Sequence, residues 1–436
     1  MGRVICDKAV TDSFWLSDGN VTQSQSSGLR PAFTGTKSTK MKNKFIQTIG
    51  AGFAATTVGA LAGDFSDTTT SVVEQSGGAG NWCQAIGNIG TLYKDKSNPW
   101  IQEVKVFGRA QYQWGYSDVD NFNDDYSGQG DEIRRLRAGL SVKFLNGFKA
   151  LGRVNLEEGG FRNHEGFSYG GFDELYINYS AENFAGFENF TVGYGRYKIA
   201  FGGEEAESSK KIKTVERSNL NNIFAPSRAT GALINGEMGD LSLAFGVFSS
   251  RSSDQDWADW NGGEIYFASA AYGFGDSELR ADFIYNDADG SDREIIGYDW
   301  ASSLTYNTEV GNFELMANAT FGDMGDDNVY GVVLMPSTYL IEDRLEAVFR
   351  YQWAHSTGDS IRPNSRNLRN VAGNEFPSRT IGRGDDNHTF YAGLNYFICD
   401  HNAKVMLGAE YETLDGENNN VDLEATTLWA AFRMYF

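Results

Sequence analysis

From Trp100 to Phe436, polar and apolar residues alternate in segments of about ten residues, and the connections between segments are short and long in turn. The last segment is the clearest. Leu428, Ala430, Phe432, Met434 and Phe436 fall on one face and Trp429, Arg433 and Tyr435 on the other, because strand side chains have a period of two. One face suits lipid and the other suits water. Segments of this kind recur near 102–115, 132–144, 147–157, 172–179, 189–197, 229–236, 240–249, 263–273, 278–286, 298–307, 312–321, 328–335, 343–354, 388–398, 403–413 and 422–436. The pattern predicts an all-β chain, a transmembrane antiparallel β-barrel of about sixteen strands whose lumen stays open. An even count places both chain ends on the periplasmic side. The terminal aromatic Phe436 is the kind of ending that outer-membrane barrel assembly machinery takes up.

Composition fits. Aromatic residues make up 14% of the chain, glycine is abundant at 51, and only six prolines occur in 436 residues. The mean hydropathy of −0.42 is no objection, since a barrel distributes its membrane signal over strands of about 9–11 residues. The most hydrophobic stretch is Phe45 to Gly63, behind Met41-Lys42-Asn43-Lys44 and ending at Ala60-Leu61-Ala62. Residues 41–62 thus read as a secretory signal peptide. Residues 1–40 read as an upstream extension, with translation starting at Met41; a long leader is the alternative. Residues 63–100 form a periplasmic extension: 64–80 are Thr/Ser/Gly-rich and expected to be disordered, and Asn81 to Lys94 could form an amphipathic helix with Trp82, Ile86, Ile89 and Tyr93 on one side. Residues 101–436 are the barrel.

The formal net charge is −21, and losing residues 1–62 removes seven basic but three acidic residues, so the mature chain is more acidic still. Such a surface excludes nucleic acid as a partner. Acids gather in predicted outer loops, Asn121 to Asp125, Asp287 to Asp292 and Asp323 to Asp327, where they are either solvated or bridged by cations to lipopolysaccharide. The four histidines, His164, His355, His388 and His401, are scattered over loops. No catalytic motif, metal site or cofactor fingerprint is present, so no enzyme is expected. Cys83 and Cys399 both map to the oxidising periplasmic side; they could form a disulfide or remain two free thiols, since sequence does not give their separation.

Facing the apolar positions to lipid sends Lys105, Arg109, Gln111 and Gln113 of the first strand inward, with Arg135, Arg137 and Lys143 of the second and Lys149, Arg153 and Asn155 of the third. Seven cations then share one pore wall, with acid only at Glu157. The connection after the fifth strand, Lys198 to Arg228, is long enough to fold into the lumen. Its first half carries Glu204, Glu205 and Glu207, its second Lys210, Lys211, Lys213 and Arg217. A ladder of cations makes an anion pathway, because charge-assisted hydrogen bonds replace the hydration of the anion in steps. The alternative is an arginine wall facing an acidic loop, which only sets up a transverse field. The longest outer connection, Ser356 to Asn387, adds Arg362, Arg366, Arg369, Arg379 and Arg383, for a vestibule, for lipopolysaccharide or for a neighbouring subunit.

Three stretches carry a family resemblance: Glu132-Ile133-Arg134-Arg135-Leu136-Arg137 followed by Gly139; Phe172-Asp173-Glu174-Leu175-Tyr176-Ile177 through Val192-Gly193-Tyr194-Gly195-Arg196-Tyr197-Lys198; and Ser208-Ser209-Lys210 through Glu216-Arg217-Ser218. In these the chain resembles the phosphate-selective porin O and P family. The resemblance covers about Glu103 to Phe436 and implies a sixteen-stranded homotrimeric channel. It implies substrate contact for Lys210, with Arg135 and Arg137 as guides. In place of the family's aromatic-rich stretch after that lysine, this chain has Lys211 and Ile212. The expectation is an outer-membrane diffusion channel for small solutes with a preference for anions, phosphate among them. A general or sugar-type porin, with Tyr176 and Tyr197 as a stacking track, and a structural envelope-anchoring barrel are the alternatives.

Overall fold

A computed structural model describes residues 81–121, 125–157, 167–226, 228–251, 259–374, 382–416 and 421–436. The expectations for residues 1–80, the upstream extension, the signal peptide and the Thr/Ser/Gly-rich stretch, lie outside the described residues. Helix α1 (Asn81–Asn88) is followed by a short strand β1 (Thr91–Lys94). The barrel strands are β2 (Ile101–Asn121), β3 (Tyr126–Phe144), β4 (Phe148–Glu157), β5 (Ser168–Phe184), β6 (Phe187–Lys198), β7 (Arg228–Met238), β8 (Leu241–Arg251) and β9 (Asp259–Phe274). They continue as β10 (Ser277–Asn286), β11 (Trp300–Val310), β12 (Phe313–Asp323), β13 (Asn328–Ile341), β14 (Leu345–Ser356), β15 (Asp386–Phe397), β16 (Ala403–Gly416) and β17 (Val421–Tyr435). Among the described residues three α-helices interrupt this order, α2 (Gly203–Ala206) and α3 (Asn219–Phe224) between β6 and β7 and α4 (Arg366–Asn374) between β14 and β15, and a short 3-10 helix (Gly290–Asp292) lies between β10 and β11.

Each of β2 to β17 pairs antiparallel with its sequence neighbour, and β17 pairs with β2, so sixteen strands close into a barrel without an edge. The alternation behaves as expected on the closing strand: Trp429, Ala431 and Arg433 are buried, whereas Leu428 and Phe432 are exposed on the lipid face. Aromatic rings collect in two belts on that face. Phe283, Trp300, Phe321, Tyr330 and Trp353 form a run near the long connections. Phe144, Phe148 and Tyr179 pack near the short turns. Amphipathic rings prefer the two water interfaces of a bilayer, and barrels of the outer membrane carry such girdles with the short turns in the periplasm.

The predicted helix from Asn81 to Lys94 is shorter than expected. It stops at Asn88, and Thr91–Lys94 pairs instead with β2 through Lys105, Val104 and Glu103. The reason is local: Gly90 sits so close to Val106 that a Cβ would lie 1.9 Å from its carbonyl oxygen, and β2 continues past the end of β17 with hydrogen-bonding groups to satisfy. Ile89, predicted on the helix's apolar side, is exposed. Helix α1 is fastened to the β15–β16 turn, where Cys83 and Cys399 are disulfide-bonded with their Cα atoms 5.3 Å apart. Phe436 lies over Gly108, where a Cβ would be 2.6 Å from its ring.

Candidate functional site

Two irregularities of register shape the wall formed by β2, β3, β4 and β5. Gln111 pairs with Arg135 but Tyr112 pairs with Ile133, which leaves Arg134 as the extra residue of a bulge. Arg134 and Arg135 therefore both turn inward, Arg134 to Glu216 at 2.8 Å and Arg135 to Gln111 at 2.9 Å. Likewise Arg153 pairs with Glu174 and Val154 with Phe172, so Asp173 is extra and both acids turn inward. A bulge re-aims one side chain by breaking the period of two. Strict alternation from Arg135 and Arg137 sends Arg134 outward and lets only one of Asp173 and Glu174 face in, whereas the bulges bring in all three. Two adjacent charged residues inside a strand pattern were the available signal for them.

The two acids change the electrostatics. Asp173 forms ion pairs with Arg137 at 2.9 Å, Arg153 at 2.6 Å and Arg228 at 2.9 Å, and Glu174 with Arg153 at 2.7 Å. Arg137 and Arg153 are thus ion-paired, in contrast to a wall with acid only at Glu157. Arg109 donates to Ser209 Oγ of the β6–β7 connection, and Gln111 to the Ser209 carbonyl. Among the described residues Arg135 makes no ion pair; its partner is the neutral Gln111. Lys143 lies 3.7 Å from Glu103. Lys105 and Lys149 lie nearby: Lys149 pairs in register with Lys143, and Lys105 faces Ser141 across β2 and β3.

The connection between Lys198 and Arg228 reaches across to many strands. Glu204 accepts from Arg350 of β14 at 3.3 Å, the Ile212 carbonyl accepts from Lys404 of β16 at 2.6 Å, and the Val215 carbonyl from Arg433 of β17 at 2.8 Å. Glu216 meets Gln113 at 2.5 Å and Arg134 at 2.8 Å. Its four predicted cations do not form one cluster. Lys213 is bound by Glu314 and, at 3.1 Å, by Glu346; burial works against its charge, but the two glutamates outweigh burial and raise it. Lys210 lies over the Tyr435 ring at 5.0 Å, and Lys211 is exposed. Arg217 turns back onto its own connection, to Glu205 at 2.8 Å and to the Glu204 and Glu207 carbonyls. Burial opposes ionisation of Glu205, yet Arg217 and Lys198 hold its carboxyl down at about 2.

Where this connection meets the wall, Arg109, Arg135, Arg153, Lys198, Arg217 and Arg228 surround a cavity of ≈ 20 Å³ together with Glu205, Ser208 and Ser209. A site of roughly 10–15 Å³ by this measure holds one water, so this one admits a small ion. Six cations face one carboxylate, with Asp173 and Glu174 behind them. Below it, toward the short turns, opens a vestibule of ≈ 970 Å³ that includes Lys198, Arg280, Asn189, Thr191, Asn235 and Phe248 in its lining. Lys198 belongs to both spaces. Sequence reasoning missed Lys198 and Arg228 because each ends a strand beside the connection, where strand phase no longer predicts direction. Tyr176 and Tyr197 are buried, stacked on each other at 4.8 Å, and Tyr197 donates to Asn178 Oδ1 at 2.6 Å. They form no open track.

The β14–β15 connection also enters. Arg366 meets Glu132 at 2.8 Å, Asn367 donates to Ser117 at 2.9 Å, and the amides of Asn364 and Ser365 donate to Glu412. Ser117, Glu132 and Glu412 are inward positions of β2, β3 and β16 and are buried. Arg379 lies outside the described residues.

No curated protein matches this sequence. Among solved structures, an anion-selective porin from Comamonas acidovorans is similar over 76% of this chain and 99% of its own, at 14% identity and a TM-score of 0.51. Pseudomonas putida OprB is similar over 82% and 97%, at 12% identity and 0.50. Salmonella typhi OmpF, solved in complex with daunomycin, is similar over 78% and 100%, at 14% identity and 0.50. These likenesses bear on the fold, a porin barrel. The sequence model for "Phosphate-selective porin O and P" matches residues 104–326, more than half of the chain, so this protein belongs to that family and is a channel of the bacterial outer membrane.

Proposed function

We propose that this porin is a passive, homotrimeric diffusion channel that prefers small anions, with inorganic phosphate the foremost candidate. The observation that carries the reading is the group of six cations around one small cavity. An anion entering it exchanges water for guanidinium and ammonium donors, and arginine forks suit a tetrahedral oxyanion. Ser208 and Ser209 supply hydroxyls alongside. Arg135 is the residue on which selectivity should depend most, since its hydrogen-bond partner is the neutral Gln111 and it makes no ion pair among the described residues. Lys198 links the cavity to the vestibule. Lys210 and Lys211, which follow Ser208 and Ser209 in the connection, provide further weak steps, and several weak sites in series let the ion leave. No energy source or cofactor enters the mechanism.

The test is the reversal potential of refolded protein in a planar bilayer under a KCl gradient, with phosphate added as a blocker. An anion-selective potential and block by phosphate are expected. A hydrogen bond to a charged group contributes about 1.5–3 kcal/mol, so Arg135→Gln should weaken the block by about 10- to 100-fold. A neutral or cation-selective wild type would support the second reading, a general porin. Asp173, Glu174 and Glu205 favour that reading, because they neutralise part of the cation group.

A further inference from the structure

We propose that the vestibule below the cation cavity is a subsite for the neutral body of an anionic solute, so that the substrates of this channel include phosphomonoesters of polyhydroxylated molecules. The inference rests on the anion-channel reading and names a substrate class for the same site.

The vestibule owes its shape to inward residues that the strand register aligns in rows. Ser180 of β5 pairs with Thr191 of β6, Thr191 with Asn235 of β7, Asn235 with Ala244 of β8, and Ala244 with Ser269 of β9. All five line the ≈ 970 Å³ space. They are short, and all but Ala244 carry a hydroxyl or an amide, so this wall is recessed and offers donors and acceptors without a charge. The row one step nearer the short turns pairs Asn189 with Glu237 and Glu237 with Ser242, and it lines the same space. The row one step nearer the β6–β7 connection is different. There Gly193, Leu233, Gly246 and Phe267 pair in turn, and the two glycines lie so close beneath Tyr197 and Phe248 that a Cβ would collide with the Tyr197 hydroxyl and the Phe248 ring. The polar wall thus begins directly under a closed apolar band.

Charge orients a solute in this space. Lys198 stands at the end toward the connection and lines the cation cavity as well. Arg280 also lines the vestibule, but it is ion-paired with Asp282 at 2.8 Å. Glu182 and Glu237 belong to the row nearest the short turns. A phosphoryl group is therefore drawn toward Lys198 and repelled from the two carboxylates, which lays the rest of the molecule along Thr191, Asn235 and Ser269. Inorganic phosphate fills a small part of the vestibule, whereas cavities of about 300–1,000 Å³ enclose drug-sized molecules. The hydroxyls of a sugar match the hydroxyl and amide groups of the row.

The experiment uses the full-length channel in planar bilayers and reads the concentration of added solute that halves the chloride current, for glucose 6-phosphate, inorganic phosphate and glucose. Glucose 6-phosphate should block at about tenfold lower concentration than inorganic phosphate, the gain expected from one or two net hydrogen bonds, and glucose should not block at that concentration. Thr191→Val with Asn235→Leu keeps the volume of the wall while removing its hydrogen bonds, and should bring the two phosphates within about twofold of each other. Equal block by the two phosphates in the wild-type channel overturns the proposal and leaves the anion-channel reading standing. Block by glucose as strong as that by glucose 6-phosphate also overturns it, in favour of a neutral-sugar site. So does a difference that survives in the double variant, which would mean that size alone slows the larger solute. The wild-type comparison decides even if the double variant does not fold. Failure of both phosphates to block refutes the anion-channel reading, and this inference with it.

Discussion

Replacing Arg350 by methionine should release the β6–β7 connection from the barrel wall. The guanidinium is completely buried and donates to Glu204 at 3.3 Å, Thr214 Oγ1 at 3.1 Å, the Glu216 carbonyl at 2.7 Å and Glu410 at 2.9 Å. Three of these partners belong to the connection and one to β16. Removing one member of a buried ion pair costs about 3–5 kcal/mol, because the remaining charge is left without compensation. Burying the methionine side chain returns at most about 1.5–3 kcal/mol. The carboxylates therefore dominate, and the net loss is about 2 kcal/mol or somewhat less. It should fall on the connection rather than on the strands, whose ladder hydrogen bonds are untouched. The assay is trypsin cleavage at Lys210 and Lys211 in folded protein, read beside open-channel current noise. Cleavage should quicken and noise should rise. Arg350→Met combined with Glu410→Gln should restore part of the wild-type resistance, since a buried charge is then removed with its partner. Wild-type cleavage and noise in the single variant, or a double variant as sensitive as the single one, would refute the reasoning.

Reducing the Cys83–Cys399 disulfide, or Cys83→Ser, should destabilise the barrel by about 2–4 kcal/mol and lower the temperature at which it loses its compact mobility in detergent gels; the same temperature with and without reductant would count against a clamp by α1 and β1. Asp173→Asn should leave Arg137, Arg153 and Arg228 without their shared carboxylate, raise anion selectivity in bilayers and cost about 3–5 kcal/mol of stability in urea unfolding. Glu205 should make anchoring of the connection acid-sensitive. Its carboxyl is held at about 2 against an ordinary 4.5, so its contribution is complete above about pH 4.5 and is lost as pH falls through about 2. Current noise should be flat from neutral pH to about pH 5 and grow only below it; noise that grows near pH 6 would point to another group.

The sequence by itself determined the barrel. Alternation is local, and a period of two along Leu428 to Phe436 can only present one face to lipid and one to water, so strand number, closure and the inward direction of Arg109, Arg135, Arg137 and Arg153 were all readable. The long connection after Lys198 was readable from its length. The tertiary structure alone decided which charges remain unmatched. The bulges at Arg134 and Asp173 depend on pairing between strands, so a single strand's phase did not show them. The partners of Lys213 are Glu314 and Glu346, more than a hundred residues away in sequence. The inward course of Arg362 to Arg369 depends on Glu132 and Glu412, which the closed barrel brings to the same place. A cation's role in a pore is set by the carboxylates within a few ångströms, and those distances arise only when the barrel closes.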